Sequence, residues 1–154
     1  MKDESFTIRL AEISDYPACL PLFKLLYHGD IGPDFRNVFQ GYSKDGAILL
    51  AEASGKLLGI LVGSYSLDID WEGRTARIDA LVVDENNRKK GIGKKLVKCF
   101  INAARKQNAR AVKSRINTAN IISQKLHEEL GFSKADTYEY ILELYRKLRS
   151  RKVP

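Results

Sequence analysis

Cysteine is scarce in this chain. Cys19 and Cys99 are the only two in 154 residues, they lie far apart, and they form no CxxC pair. That argues against a disulfide framework, and with only two histidines it argues against a metal site as well. Both thiols read as packed side chains in a reducing compartment. Long apolar runs are also missing. A membrane-spanning helix needs ~20 apolar residues, whereas the longest stretch here, Leu57 to Val62, is strand-length and contains Gly59. No apolar segment follows Met1-Lys2-Asp3-Glu4-Ser5, so a secretory leader is not expected. The expected location is the cytoplasm, with no membrane partner. Repeats, low-complexity segments and linkers are absent. The length predicts a single domain over residues 1–154, with a core at about 6–145 and a basic tail at 146–154.

The net charge of +7 invites a nucleic-acid reading, but its distribution does not support one. The last ten residues hold Arg146, Lys147, Arg149, Arg151 and Lys152 and no acid, so 21 basic and 19 acidic residues remain in the rest of the chain. A basic tail of this kind is ordinarily solvated. A second cluster (Arg88, Lys89, Lys90, Lys94, Lys95) surrounds two glycines, which suits a small polyphosphate better than a long nucleic-acid track.

Hydrophobic spacing predicts the elements in order. Phe6 to Leu10 alternates as a strand. A helix starts near Asp15, with Pro17 in its first turn, and ends near His28-Gly29. Asp30 to Tyr42 is weakly patterned, with a short helix around Phe35 to Phe39. Strands follow at Ala47–Ala53, Leu57–Leu67 and Thr75–Val83, the first two joined by the turn Ser54-Gly55-Lys56. Leu81-Val82-Val83 is apolar on both faces, as in a central strand. An amphipathic helix covers Gly91–Gln107. A strand spans Ala109–Ile116, a helix Ala119–Leu130 closed by Gly131, and one or two last strands run from Phe132 through Tyr145. The fold class is α+β, a mixed and mostly antiparallel sheet flanked by helices.

The most informative segment runs from Val82 to Leu96: strand, polar turn, Arg88-Lys89-Lys90-Gly91-Ile92-Gly93-Lys94, then helix. Glycines allow a ligand to approach the backbone. The first helical N–H groups have no intrahelical partner, and the helix dipole adds positive character there. The segment therefore reads as an anion cradle; the plainer alternative is a solvated turn. Other phosphate motifs fit poorly. A Walker A loop would need glycine at Arg88 and Ser or Thr at Lys95, and a dinucleotide GxGxxG would need a small residue at Leu96.

Arg88-x-x-Gly91-x-Gly93, preceded by Ile78-x-x-Leu81-x-Val83, resembles the central signature of the GNAT superfamily of acetyl-CoA-dependent N-acetyltransferases. Asn120, Ser123, Leu126-His127 and Gly131-Phe132 are similar to its second block. The resemblance covers about residues 6–145; Glu85 stands where the family often has proline. It implies that the main chain of Leu81, Val82 and Val83 pairs with the pantetheine arm of acetyl-CoA. Amides from Arg88, Lys89, Lys90, Gly91, Ile92, Gly93 and Lys94 would hold the pyrophosphate, and Asn120 and Ser123 would line the cofactor's other side. A homodimer is expected by resemblance alone.

The implied reaction needs a deprotonated amine, a donor for the oxyanion and a proton for the leaving thiolate. A main-chain N–H near Val83 is the oxyanion candidate by resemblance. His127 occupies the place where the family frequently has a tyrosine donor, and its ordinary pKa of ~6.5 suits acid–base work; it also reads as a helix-packing residue. Asp79 lies near where several family members place a catalytic glutamate. Asp79 and Ala80 point to opposite faces of a regular strand, so the facing of Asp79 stays open. Tyr138 and Tyr140 are reserve donors that read more naturally as core. Tyr27, Phe35, Phe39 and Trp71 form either an acceptor wall or core.

The expected function is acetyl transfer to a primary amine of a small molecule, with a protein N-terminus or lysine as the alternative acceptor. A catalytically weak acetyl-CoA-binding module is the second alternative. No metal is expected.

Overall fold

The structure, a computed structural model, describes residues 5–29 and 31–144. Five strands order as β1-β2-β3-β4-β5 in one sheet: β1 Thr7–Leu10, β2 Ala47–Ala53, β3 Lys56–Asp68, β4 Gly73–Val83 and β5 Val112–Ser114. The helices are α1 Tyr16–Tyr27, α2 Phe35–Asp45, α3 Ile92–Lys106 and α4 Ile121–Glu129. Pairing is antiparallel except between β4 and β5, which run parallel. This is the expected α+β class. The chain divides into two compact units, one up to Arg115 and one from Ile116 onward.

In the first unit the sheet is buried on both faces. Ile48 and Leu50 of β2, Ile60 and Val62 of β3, and Ala80 and Val82 of β4 pack with Cys19, Leu22, Phe23 and Phe39 of α1 and α2. On the other face α3 buries Ile92, Leu96, Val97, Phe100 and Ala104. The glycines of β3 make room for that helix. A Cβ on Gly63 would stand 2.3 Å from the Phe100 ring, and one on Gly59 would stand 3.2 Å from Ile92 Cγ2. Phe35 and Phe39 belong to an aromatic cluster with Tyr16, Phe23 and Tyr27; Phe39 is buried in the core and Phe35 is half-buried against it. Burial pushes the Cys19 thiol up to about 12, consistent with a packing role.

The β2–β3 turn has the expected chemistry. Ser54 and Gly55 both have positive φ (49° and 74°), the primed-turn geometry that matches strand twist. At the start of α1, Asp15 acts differently from the expected cap. It closes a 3₁₀ turn by accepting the Glu12 N–H at 2.8 Å, and it takes both terminal nitrogens of Arg9 at 2.8 Å. The Arg9 guanidinium, followed by the Glu12 amide, holds the Asp15 carboxyl below its ordinary pKa. A depressed folded-state pKa contributes stability that is present above the unfolded value and lost as pH falls through the folded one. Thermal melts between neutral pH and about pH 3, around the ordinary carboxylate range, should therefore show wild type losing its advantage over Asp15→Asn as the medium becomes acidic.

The second unit departs from expectation at its end. No strand forms among residues 132–144, and Tyr145 with the basic tail lies outside the described residues. Tyr138 and Tyr140 are 89% and 92% exposed, not core. Alternation of apolar residues there specifies a face, but a strand also needs a neighbouring ladder to satisfy its N–H and C=O groups. Among the described residues, no helix is long and apolar enough to cross a membrane.

Candidate active site

β4 changes neighbours along its length. Its first half pairs with β5 at Ala76↔Val112, Arg77↔Lys113 and Ile78↔Ser114, and the ladder ends there. From Asp79 to Val83 the side facing β5 has no strand partner among the described residues, while β3 continues to pair with the other side. The expected strand Ala109–Ile116 is shorter for this reason. Leu81, Val82 and Val83 thus carry an unladdered edge in the interior of the sheet.

Asp79 sits at the point of divergence. β3 and β4 shift register there: Val62 pairs with Ala80 and Gly63 with Ile78, so Asp79 is the extra residue of a bulge. A bulge re-aims side chains, and this one corrects the expectation that Asp79 and Ala80 point to opposite faces. Both turn toward the α1–α2 layer. Ala80 joins the core that includes Phe39, and Asp79 meets Arg77 and the Tyr42 phenol of α2. Arg77 Nε donates to Asp79 Oδ1 at 2.5 Å, and the carboxylate and burial compete over the guanidinium with the carboxylate prevailing, so its pKa is raised. Asp79 Oδ2 is buried and receives no hydrogen bond. Burial first, then the Asp79 charge, raises the pKa of Tyr42. Tyr42 carried no signal in the sequence, because a tyrosine on an amphipathic helix reads as ordinary packing.

β4 leads into the basic glycine loop. Asp84 organises the turn by accepting from Asn86 N at 3.2 Å and Asn87 Nδ2 at 2.8 Å. Lys90 Nζ donates to Asn87 Oδ1 at 2.9 Å, and Arg88 Nε reaches the Val83 carbonyl at 3.4 Å. Lys89 and Gly91 adopt left-handed φ of 62° and 76°. Gly91 is the N-cap of α3 and provides no capping side chain. Its carbonyl accepts from Lys95 N at 3.0 Å, so the amides of Ile92, Gly93 and Lys94 precede the helical ladder. The Ile92 side chain is buried against the sheet. Helix terminus, exposed cations and absent Cβ suit a pyrophosphate. A cavity of about 500 Å³ elsewhere, lined by Lys44, Tyr65, Arg74 and Gln107, lies at the opposite, hairpin end of β4 and plays no part in this cradle.

The second unit holds the other sequence-predicted positions on α4. Asn120 is its N-cap, with Oδ1 accepting the Ser123 N–H at 3.0 Å. His127 is buried, packs edge-on against Phe132 at 4.9 Å between ring centroids, and places Nδ1 2.7 Å from the Ser123 carbonyl. A carbonyl can only accept, so Nδ1 carries the hydrogen. In the neutral ring Nε2 is then an acceptor, and it has no partner. His127 thus packs the helix, and among the described residues its Nε2 has no hydrogen-bond partner. Trp71 is about half exposed in the β3–β4 turn. Among the described residues no group of three or more His, Cys, Asp or Glu could hold a metal.

The sheet thus opens beside a bulged strand that leads into a glycine-capped helix N-terminus. The sequence profile of the Acetyltransferase (GNAT) family matches residues 16–132, and the chain belongs to that family. The UPF0039 protein C11D3.02c of Schizosaccharomyces pombe is 32% identical over 96 residues, which make up 62% of this chain and 60% of that protein. This chain thus spans about 60% of the length of that relative. Among solved structures, the fold matches a ribosomal-protein-alanine N-acetyltransferase from Brucella melitensis biovar Abortus 2308 with a TM-score of 0.76 at 20% identity, over 92% of this chain and 100% of that one. It also matches AAC(6')-Iy in complex with the bisubstrate analog CoA-S-monomethyl-acetylneamine, with a TM-score of 0.79 at 22% identity, over 93% and 98%.

Proposed function

We propose that this chain transfers the acetyl group of acetyl-CoA to a primary amine of a small molecule, by direct attack with both substrates bound. The observation that carries the reading is the continuity of the unladdered edge of β4 with the uncapped N-terminus of α3. That edge offers main-chain groups of Leu81, Val82 and Val83 to an extended amide-bearing arm. The loop from Arg88 to Lys94 offers amides and cations to its pyrophosphate.

In this reading Asp79 attracts the ammonium, accepts its proton and hands it to water. The amine lone pair then forms the N–C bond at the thioester carbon, the C–S bond breaks with its electron pair leaving on sulfur, and the second proton lost from nitrogen passes through water to the thiolate. A main-chain N–H near Val83 stabilises the oxyanion. For the second unit we keep the roles that resemblance implies: Asn120 and Ser123 beside the cofactor, His127 beside the sulfur. The tautomer sharpens the last role. A neutral His127 offers Nε2 as an acceptor for the thiol S–H, and only its doubly protonated form donates to a thiolate. We extend the proposal to a single-domain cytoplasmic enzyme that needs no metal. A protein N-terminus is the second acceptor reading, supported by the likeness to the Brucella protein, whose name specifies a ribosomal-protein alanine.

The test is calorimetric titration with acetyl-CoA, followed by thiol release in the presence of a panel of amines. Micromolar binding with amine-dependent thiol release is the expected result. A folded protein that binds no acetyl-CoA would overturn the proposal.

A further inference from the structure

β2 and β3 do not start and stop together. The β2 ladder begins at Ala47↔Gly63, whereas β3 runs on to Asp68 with β4 as its partner on the other side. From Ser64 to Asp68 the edge facing β2 therefore has no strand partner among the described residues. α2 ends at Asp45 and α3 at Lys106. The space between these helix ends and the overhanging hairpin is the cavity of about 500 Å³. Its lining carries charges of both signs: Lys44 and Asp45 from the last turn of α2, and Arg74 from β4. Among the described residues none of the three forms an ion pair. Arg74 Nη1 donates to Gln107 Oε1 at 3.1 Å, which holds the guanidinium in place, but Gln107 is neutral and the charge stays uncompensated. Tyr65, set against the Phe100 ring at 5.9 Å between centroids, adds a phenol that can donate to a carboxylate oxygen. Asp45 stands at the negative end of the α2 dipole, so helix stability gives no reason for an acid there.

We propose that this cavity is a second ligand site, for a free α-amino acid, whose carboxylate lies against Arg74, Lys44 and the Tyr65 phenol and whose ammonium lies against Asp45. A ligand of one sign would leave either the two cations or the acid uncompensated, whereas a zwitterion meets both. A guanidinium also matches the planar fork of a carboxylate. The volume falls within the ~300–1,000 Å³ range of small-molecule pockets. β4 has 11 residues, so at ~3.3 Å per residue the cavity at its start lies roughly 30 Å from the glycine loop that follows its end. An amino acid bound there is too far away to accept an acetyl group, and it does not overlap acetyl-CoA in the cradle. The site therefore stands independently of the acetyl-transfer reading.

The experiment titrates L-glutamine, L-serine and L-phenylalanine separately into the full chain in a calorimeter. The tightest binder is then compared with its α-carboxamide, which lacks the carboxylate, and with its N-acetyl derivative, which lacks the ammonium. Saturable binding of at least one amino acid is expected, with each derivative weakened about tenfold or more, the worth of one charge-assisted contact. Arg74→Gln should weaken the parent amino acid to a similar degree and leave its α-carboxamide within about twofold, because the contact is already missing there. Asp45→Asn should likewise weaken the parent and spare the N-acetyl derivative. Both residues are exposed, so both variants should fold as wild type does. No saturable heat from any of the three amino acids would overturn the site. So would equal binding of the parent and its two derivatives, a comparison that needs no variant to fold. Displacement of the amino acid by acetyl-CoA would overturn the separation of the two sites.

Discussion

A Gly91→Glu variant is expected to lose acetyl-CoA binding by about a hundredfold or more, since opposing like charges at a binding site cost several kcal/mol. Two separate effects contribute. Gly91 caps α3 at φ 76°, a left-handed conformation that residues with a Cβ adopt at a cost of ~1–3 kcal/mol. The new carboxylate would also sit at the positive end of the helix, where the proposed pyrophosphate belongs. Nothing lies within 4 Å of an added Cβ, so the side chain meets open space and the fold should survive. Gly91→Asn separates the two effects, because asparagine tolerates left-handed φ and carries no charge. Calorimetry should find the asparagine variant close to wild type and the glutamate variant silent. If both bind alike, the cradle is only a solvated turn.

Asp79→Asn should lower amine-dependent thiol release by roughly 10²–10⁴-fold, the usual worth of a positioned acid or base. Asparagine keeps the shape of the side chain but neither accepts a proton nor attracts an ammonium. Acetyl-CoA binding should be unchanged, since the cradle is built from other residues. Undiminished turnover in the variant would reduce Asp79 to an ion-pair partner of Arg77.

The glycine loop and the order of elements up to α4 were legible in the sequence because each has a local cause. Periodicity wrote α3, Ser54-Gly55 wrote its hairpin, and the Arg88-x-x-Gly91-x-Gly93 spacing marked the cradle. What was hidden depends on pairing between distant segments. The facing of Asp79 follows from a register slip against Val62 and Gly63, which no property of residues 75–83 announces. Tyr42 became relevant only when that slip turned a carboxylate toward α2. The terminal strand failed for the converse reason. Tyr138, Tyr140, Leu142 and Leu144 have strand-like alternation, yet they are 78–92% exposed, and alternation cannot say which edge would receive them. His127 was visible as a departure from the family's tyrosine, but its tautomer came from the Ser123 carbonyl one turn earlier.

The bulge also gives β4 an odd kind of parity. Before it, Ala76 and Ile78 pair with Tyr65 and Gly63 and look toward α3; after it, Leu81 and Val83 pair with Leu61 and Gly59 and look the same way. Even-numbered positions become odd-numbered ones across a single inserted residue. Removing Asp79 would therefore restore strict alternation and leave both hydrophobic faces of the strand in phase. Its presence is a reading-frame shift in side-chain direction, one that delivers a carboxylate to the face packed by α1 and α2.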